Sequence, residues 1–303
     1  MRLGVDIGGT KTDAVAVDGA GVTTQRIRLV TGFGSLAVVE TATAAISRIA
    51  ELSGLEPSGF ESIGIGIPGM VDSASGHVRH AVNLGLDGLD LGDAIAERLG
   101  VGVRIENDVS AAALGAYHGL GLTSSMAYLN VGTGLAAGLV INGELWRGPR
   151  GAAGEIGHIP VDPNGVLCSC GQRGCLETVA SGSGVARVWT SDDQYPVRAL
   201  FDAAEAGDPD ATEIRAKLAG GVAAAIRVLI LTADVETVVI GGGLSHLGER
   251  LLDDVLGVLS SWSATSPFVA SLELGSRVQL VPNDFPAAAV GAALVGGTLS
   301  GVA

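Results

Sequence analysis

The feature that most constrains this chain is a unit that occurs twice. Near the start, an apolar strand at Leu3–Ile7 meets the turn Gly8-Gly9-Thr10 and a second apolar strand at Thr12–Val17. The same style returns at Met126–Val131, Gly132-Thr133-Gly134 and Ala136–Ile141. Short β-rich runs joined by glycine-threonine turns read as hairpins, and two of them more than a hundred residues apart predict two related halves. Helical spacing of apolar residues follows each hairpin: Ser35–Ser53, Leu91–Leu99 and Asp108–His118 after the first, and much of 184–232 after the second. Further strands are expected at Gln25–Val30, Ser62–Ile67, Gly102–Ile105, Glu236–Ile240 and Arg277–Val281, and an Ala-rich helix closes the chain. Strands alternating with helices predict an α/β protein.

Composition narrows the function classes. With 47% hydrophobic and 17% charged residues, the 303-residue chain can bury two cores. A net charge of -14 argues against a nucleic-acid surface, which needs clustered Lys and Arg. Ser124–Gly143 and Phe285–Ala303 carry no charged residue and match a membrane span in length. The first alternates around Asn130, Gly132 and Thr133, as buried strands do, and the second is rich in Ala and Gly, as in a tightly packed helix. No signal-peptide pattern opens the chain, so the expectation is a cytoplasmic protein without a membrane or nucleic-acid partner.

The turns point to phosphate. In Asp6-Ile7-Gly8-Gly9-Thr10-Lys11-Thr12 the glycines let backbone N–H groups converge on an anion, while Thr10, Lys11 and Thr12 add donors and charge. Asp6, at a strand end, is placed to hold Mg²⁺ through water. One such turn could be an ordinary hairpin. Three glycine turns, at 8–10, 132–134 and 241–243, favour phosphate binding, with Gly242 and Gly243 in the last. Gly64-Ile65-Gly66-Ile67-Pro68-Gly69 imitates a dinucleotide fingerprint, but Met70–Gly76 reads as loop rather than the required helix.

Two further groups carry chemistry. All three cysteines lie within Cys168–Cys175, and His158 precedes them, so His158, Cys168, Cys170 and Cys175 make a closed tetrahedral set suited to a structural Zn²⁺. Free cytosolic thiols or a redox pair are the alternatives. Asp108 follows an apolar strand and opens a helix, where it would face a cleft as a general base for phosphoryl transfer. Asp108 or Asn107 could equally be only the helix cap.

Asp6–Thr12, Glu106-Asn107-Asp108, Gly132-Thr133-Gly134, Gly154-Glu155-Ile156-Gly157-His158 and the cysteine stretch through Leu176-Glu177 occur in the order seen in the ROK family of sugar kinases and repressors. The chain resembles that family over nearly its whole length. The resemblance implies the actin-like ATPase fold, with two ribonuclease-H-like domains flanking a cleft for sugar and ATP. It implies that Asp108 is the catalytic base, that Asn107 binds sugar hydroxyls, and that Glu155, His158 and Glu177 hydrogen-bond the sugar ring. Gly69 and Asn83 match further positions of the sugar pocket. A homodimer is also implied.

The expected domains are 1–112 with 286–303, and 113–285. The expected reaction moves the γ-phosphoryl group of ATP to the 6-hydroxyl of N-acetyl-D-glucosamine or D-glucose, after domain closure excludes water. Leu176 and Tyr117-His118 depart from many glucokinases of the family, whereas Ile67-Pro68-Gly69-Met70 and Gly174-Cys175-Leu176-Glu177 lean towards N-acetylglucosamine kinases. Another hexose or N-acetylmannosamine is the alternative substrate. A sugar-sensing regulator would carry a basic DNA-binding domain ahead of Asp6, for which the sequence leaves no room. An actin-like filament or chaperone module would not need the cysteine loop.

Overall fold

The computed structural model describes residues 1–297; 298–303, at the end of the expected Ala-rich stretch, lie outside them. In chain order the elements are β1 (Arg2–Ile7), β2 (Lys11–Val17), β3 (Thr23–Val30), α1 (Ser35–Ser53), β4 (Ser62–Ile67), β5 (Met70–Asp72), β6 (His77–Ala81) and β7 (Leu86–Asp90). Then come α2 (Leu91–Leu99), β8 (Arg104–Asn107), α3 (Asp108–Gly119), β9 (Met126–Val131), β10 (Leu135–Ile141), β11 (Glu144–Leu145) and α4 (Gly182–Ala186). The remainder is α5 (Pro196–Glu205), α6 (Pro209–Ala233), β12 (Thr237–Gly241), α7 (Glu249–Thr265), α8 (Pro267–Ser271), β13 (Val278–Leu280) and α9 (Ala287–Gly297).

The chain divides into two compact units. The first holds Met1–Thr123, Gly138–Ala153 and the segment from Asp284 on, and the second Ser124–Ala137 and Gly154–Asn283. A break at 112 would cut α3, which is continuous and belongs whole to the first unit, and 138–153 also lies there rather than with the second.

The first unit's main sheet has the order β3-β2-β1-β4-β8. β1 runs antiparallel to β2 and parallel to β4, and β4 runs parallel to β8. Alternation along the strands separates two faces. Leu3, Val5, Ile7, Ala14 and Ala16 join one core with the buried stripe of α1, which includes Val38, Val39, Ala42, Ile46 and Ile49. Val15 and Val17 join another with α9 and Leu114 of α3.

Glycine makes that second face possible. A Cβ on Gly4 would run into the Ala289 carbonyl oxygen, and one on Gly64 into the Ala292 carbonyl oxygen. Gly115 and Gly291 meet the carbonyls of Ala287 and Ala111 in the same way where α3 crosses α9. The dinucleotide-like glycines at 64 and 66 are therefore packing positions on the face of β4 turned to α9 and α3. β4 is followed by a strand, not a helix.

Met70–Gly76, expected as loop, instead opens a second sheet of order β5-β6-β7, with β5 inside that stretch and β6 and β7 after it. The β5–β6 turn is closed by Asp72, whose Oδ1 accepts from the N–H groups of Ala74 (3.0 Å) and Ser75 (3.3 Å). Only Val78 and Ala81 of β6 are fully buried, which left little pattern to read.

The third sheet, β11-β10-β9-β12-β13, repeats the order of the first: a hairpin strand group followed by parallel β12 and β13. β10 begins in the second unit and ends in the first. Among the described residues one helix, α6, is long and apolar enough to cross a membrane, and 50% of that window is buried inside the protein, as in a core helix.

Candidate functional site

In the first unit the carboxyl ends of three parallel strands bring the candidate residues together. Register pairs Asp6 with Gly66, Gly66 with Glu106, and Ile67 with Asn107. A Cβ on Gly66 would stand 3.5 Å from Asp108 Cα and 3.8 Å from Asp6 Oδ1, so these two acids flank one glycine. Burial first, and then the neighbouring carboxylates of Asp108 and Asp13, raise the Asp6 carboxyl well above the usual carboxylate range, with Arg28 pulling the other way. A site that resists ionisation on its own suits a cation, and Mg²⁺ fits this donor set.

Asn107 is the cap of α3 as well as a candidate sugar contact. Its Oδ1 accepts from the N–H groups of Val109 (3.0 Å) and Ser110 (3.1 Å), and its Nδ2 donates to the Gly69 carbonyl at 3.1 Å. Asp108, the first helical residue, accepts from the Val109 N–H at 2.9 Å. Gly69 holds φ 100°, and a Cβ there would lie 2.6 Å from the Arg79 carbonyl oxygen. Glycine is required by both angle and space.

The turn at 8–10 is closed by the Gly8 N–H donating to the Lys11 carbonyl at 2.9 Å, with Gly9, Thr10 and Lys11 exposed. Thr12 is fully buried and shares a 2.8 Å hydrogen bond with Thr31, so its hydroxyl faces the protein. Asn83 lies beside this turn, its Cβ 3.4 Å from where a Gly9 Cβ would be.

In the second unit, the pairing of Gly241 with Asn130 sets the turns 132–134 and 241–243 side by side at the ends of parallel strands. A Cβ on Gly132 would lie 3.7 Å from the Gly243 nitrogen, and Gly242 has φ 84°. The segment after the cysteines braces the first turn. Gly182 and Ser183 donate their N–H groups to the Gly132 (2.8 Å) and Thr133 (3.0 Å) carbonyls. Glu177 Oε2 accepts from the Leu135 N–H at 3.0 Å, directly after Gly134.

Glu155 is exposed at the start of a short 3-10 turn, Ile156–His158. Gly157 between them lies against the Leu135 carbonyl and, through an added Cβ, 3.4 Å from Glu177 Cβ. Glu155, His158 and Glu177 thus gather at the first residues of β10.

The cysteine loop folds into a small hairpin through bridges between Pro160 and Cys175 and between Leu167 and Arg173. The ligand atoms of His158, Cys168, Cys170 and Cys175 lie within 4.8 Å of one another. Cys168 Sγ is 3.7 Å from His158 Nδ1, and Cys170 Sγ is 3.6 Å from Cys175 Sγ. Zinc bonds of about 2.0–2.3 Å in a tetrahedron give ligand–ligand edges of about 3.5–3.8 Å, the spacing of these two pairs, and one imidazole with three thiols is a donor set that suits the ion. The 3.6 Å sulfur separation is not a disulfide, whose sulfurs are about 2.05 Å apart. Burial would raise the Cys168 thiol, yet hydrogen bonds from the Cys170 backbone, His158, Cys170 and Ser169 lower it to about 7. Burial and then Cys170 and Cys168 push the Cys175 thiol up to about 12.

Sequence reasoning passed over Arg147. It lies in the first unit after β11 and donates Nε (2.7 Å) and Nη2 (2.5 Å) to Oε2 of the buried Glu106. A charged residue interrupting an apolar strand just before Asn107 was the available signal. The remaining histidines behave as surface groups; His77, for one, meets Asp90 at 2.6 Å.

Comparison with known proteins places this geometry. The ROK family pattern matches residues 2–295. The chain is similar to a glucokinase of Halalkalibacterium halodurans, 35% identical over 84% of this chain and 83% of that protein. It is similar to an N-acetylmannosamine kinase of Yersinia pseudotuberculosis, 34% identical over 80% of this chain and 82% of the other. The crystal structure of a ROK family glucokinase from Streptomyces griseus in complex with glucose and AMPPNP superposes with TM-score 0.80 and 32% identity, covering 97% of this chain and 98% of that one. The fold is that of the actin-like ATPases, and the chain belongs to the ROK family.

Proposed function

We propose that this protein is an ATP-dependent sugar kinase that phosphorylates the 6-hydroxyl of D-glucose or N-acetyl-D-glucosamine. The observation that carries the reading is the placement of Asp108 at the carboxyl ends of β1, β4 and β8 beside Asp6. Relatives named as glucokinases put glucose first among sugars to try.

In this reading Asp108 accepts the proton of the attacking hydroxyl, and Asn107 fixes the start of α3 that carries it. Glu155, His158 and Glu177 contact the sugar ring, where carboxylates and imidazole can each orient more than one hydroxyl. His158 turns Nδ1 towards the cysteines, which leaves Nε2 for the sugar. Gly69 and Asn83 are further candidate sugar contacts, on the first unit. The turns Gly8–Thr12, Gly132–Gly134 and Gly242-Gly243 offer N–H groups to ATP phosphates. Asp6 would hold Mg²⁺, which when bound offsets phosphate charge. His158, Cys168, Cys170 and Cys175 would hold a structural Zn²⁺ that stiffens the loop between Glu155 and Glu177.

The test is ADP release with MgATP over a panel of glucose, N-acetylglucosamine, N-acetylmannosamine, mannose, fructose and allose. One sugar far above the rest supports the kinase and names its substrate. Silence across the panel, with metal bound at the cysteine loop, overturns it.

A further inference from the structure

Among the ion pairs of the described residues, one stands apart by burial. The Glu106 side chain is 3% exposed, whereas the next most buried acid, Asp13, is 16% exposed. Taking a carboxylate out of water carries a desolvation penalty that pairing repays only in good geometry, so such a pair is poor evidence of stabilisation and is better explained by the geometry it fixes.

That geometry is traceable. Both Arg147 bonds go to Oε2 of Glu106, so two guanidinium nitrogens pin that one oxygen. The other oxygen, Oε1, accepts the backbone N–H of Asn107 at 3.0 Å. Asn107 in turn caps α3 through Val109 and Ser110 and ties to Gly69. Asp108 lies between the residue so held and the first capped amide. Arg147 comes from a part of the chain that is itself closed by the Ala153 N–H donating to the Arg147 carbonyl at 3.2 Å.

We infer that Arg147 and Glu106 are positioning residues that set the strand-to-helix junction carrying Asp108, without touching substrate. The catalytic part of this inference rests on the kinase reading above; the positioning part does not.

The experiment compares Arg147→Met, Arg147→Lys and the double variant Glu106→Gln/Arg147→Met with wild type. Turnover is measured well below each melting temperature, sugar binding by calorimetry without ATP, and hydrogen exchange over residues 104–112. Arg147→Met is expected to lower kcat by about 10- to 100-fold, the scale of a misplacement near 1 Å, while sugar affinity moves by less than about threefold. Arg147→Lys, which keeps charge but loses the paired nitrogens, falls between. The double variant removes the stranded buried charge and regains melting temperature, but kcat stays down and exchange over 104–112 stays fast. Recovery of kcat together with melting temperature in the double variant overturns the inference in favour of a merely structural pair. Unchanged exchange over 104–112 in Arg147→Met overturns it as well. A wild type that phosphorylates no sugar refutes the kinase reading alone, since the exchange measurement still decides the positioning.

Discussion

Asp108→Asn separates the proposed catalytic role of this residue from its helical one. Asn107 supplies the cap, its Oδ1 taking the Val109 and Ser110 amides, and that cap does not depend on a charge at 108. The Val109 N–H that Asp108 accepts at 2.9 Å still finds an amide oxygen on Asn. The loss is a negative charge in the first turn of α3, worth about 0.3–1 kcal/mol. Against it, a like charge that raises the Asp6 carboxyl is removed. The net change in stability is then below about 1 kcal/mol, or about 2–4 °C in melting temperature. Turnover behaves differently. A positioned general base contributes about 10²- to 10⁴-fold, which is about 3–5 kcal/mol of barrier. The assay is initial-rate ADP release at saturating MgATP and glucose, with glucose binding by calorimetry and a thermal melt on the same preparation. The expected result is a melt and a glucose affinity near wild type with kcat down at least about a hundredfold. A kcat within about fivefold of wild type refutes Asp108 as the base.

Three other variants probe separate claims. The folded-state value of Asp6 is raised, so its ionised form costs stability above that value, and the cost fades as pH falls through it. Asp6→Asn should therefore melt higher than wild type at pH 8 and lose that advantage towards pH 4, while MgATP turnover drops; an equal gain at both pH values contradicts the sign. Gly64→Ala forces a methyl into the Ala292 carbonyl and should cost about 1–3 kcal/mol in urea unfolding, with a change under about 0.5 kcal/mol counting against the close packing of α9. Cys170→Ala should lose bound zinc, measured by elemental analysis, and weaken sugar binding with it; a zinc-free variant of unchanged sugar affinity would detach the loop from the sugar site.

Much of this was legible in the sequence because its signals are local. The bounds of α1, α2, β4 and β9 follow from apolar periodicity, and the closely spaced cysteines with His158 bring a ligand set together without knowledge of distant contacts. What escaped is non-local. The sheet β5-β6-β7 is short and largely exposed, so its strands show little alternation. The glycines of β4 look like a nucleotide fingerprint until α9, more than two hundred residues later, supplies the carbonyl that excludes a side chain. Arg147 and Glu106 are 41 positions apart, and neither has a spacing that announces the other. The first unit also takes 138–153, because α3 and the end of β10 pack together: a Cβ on Gly138 would stand 2.7 Å from the Ala113 Cβ.

The repeated strand order gives one further step. In the two hairpins Asp6-Ile7-Gly8 aligns with Asn130-Val131-Gly132, so the same strand end carries a carboxylate in one unit and its neutral isostere in the other. The first unit gathers Asp6 and Asp108 at its strand ends, where the proposed reading puts the cation and the base. The second has Asn130 beneath two glycine turns, with Oδ1 2.6 Å from where a Gly242 Cβ would stand, so in the proposed reading phosphate oxygens would meet N–H groups there and a neutral side chain at position 130. Asn130→Asp inverts that arrangement. A carboxylate about 5 Å from a phosphate charge adds about 1–3 kcal/mol of repulsion for effective dielectric values of about 20–80, or roughly 5- to 150-fold in affinity. The KM for ATP should rise by that factor in Asn130→Asp, while glucose binding measured without nucleotide stays as in wild type. An ATP KM within about twofold of wild type would mean that the turns at 132–134 and 241–243 do not carry the phosphates, because no anion bound there could ignore the added charge.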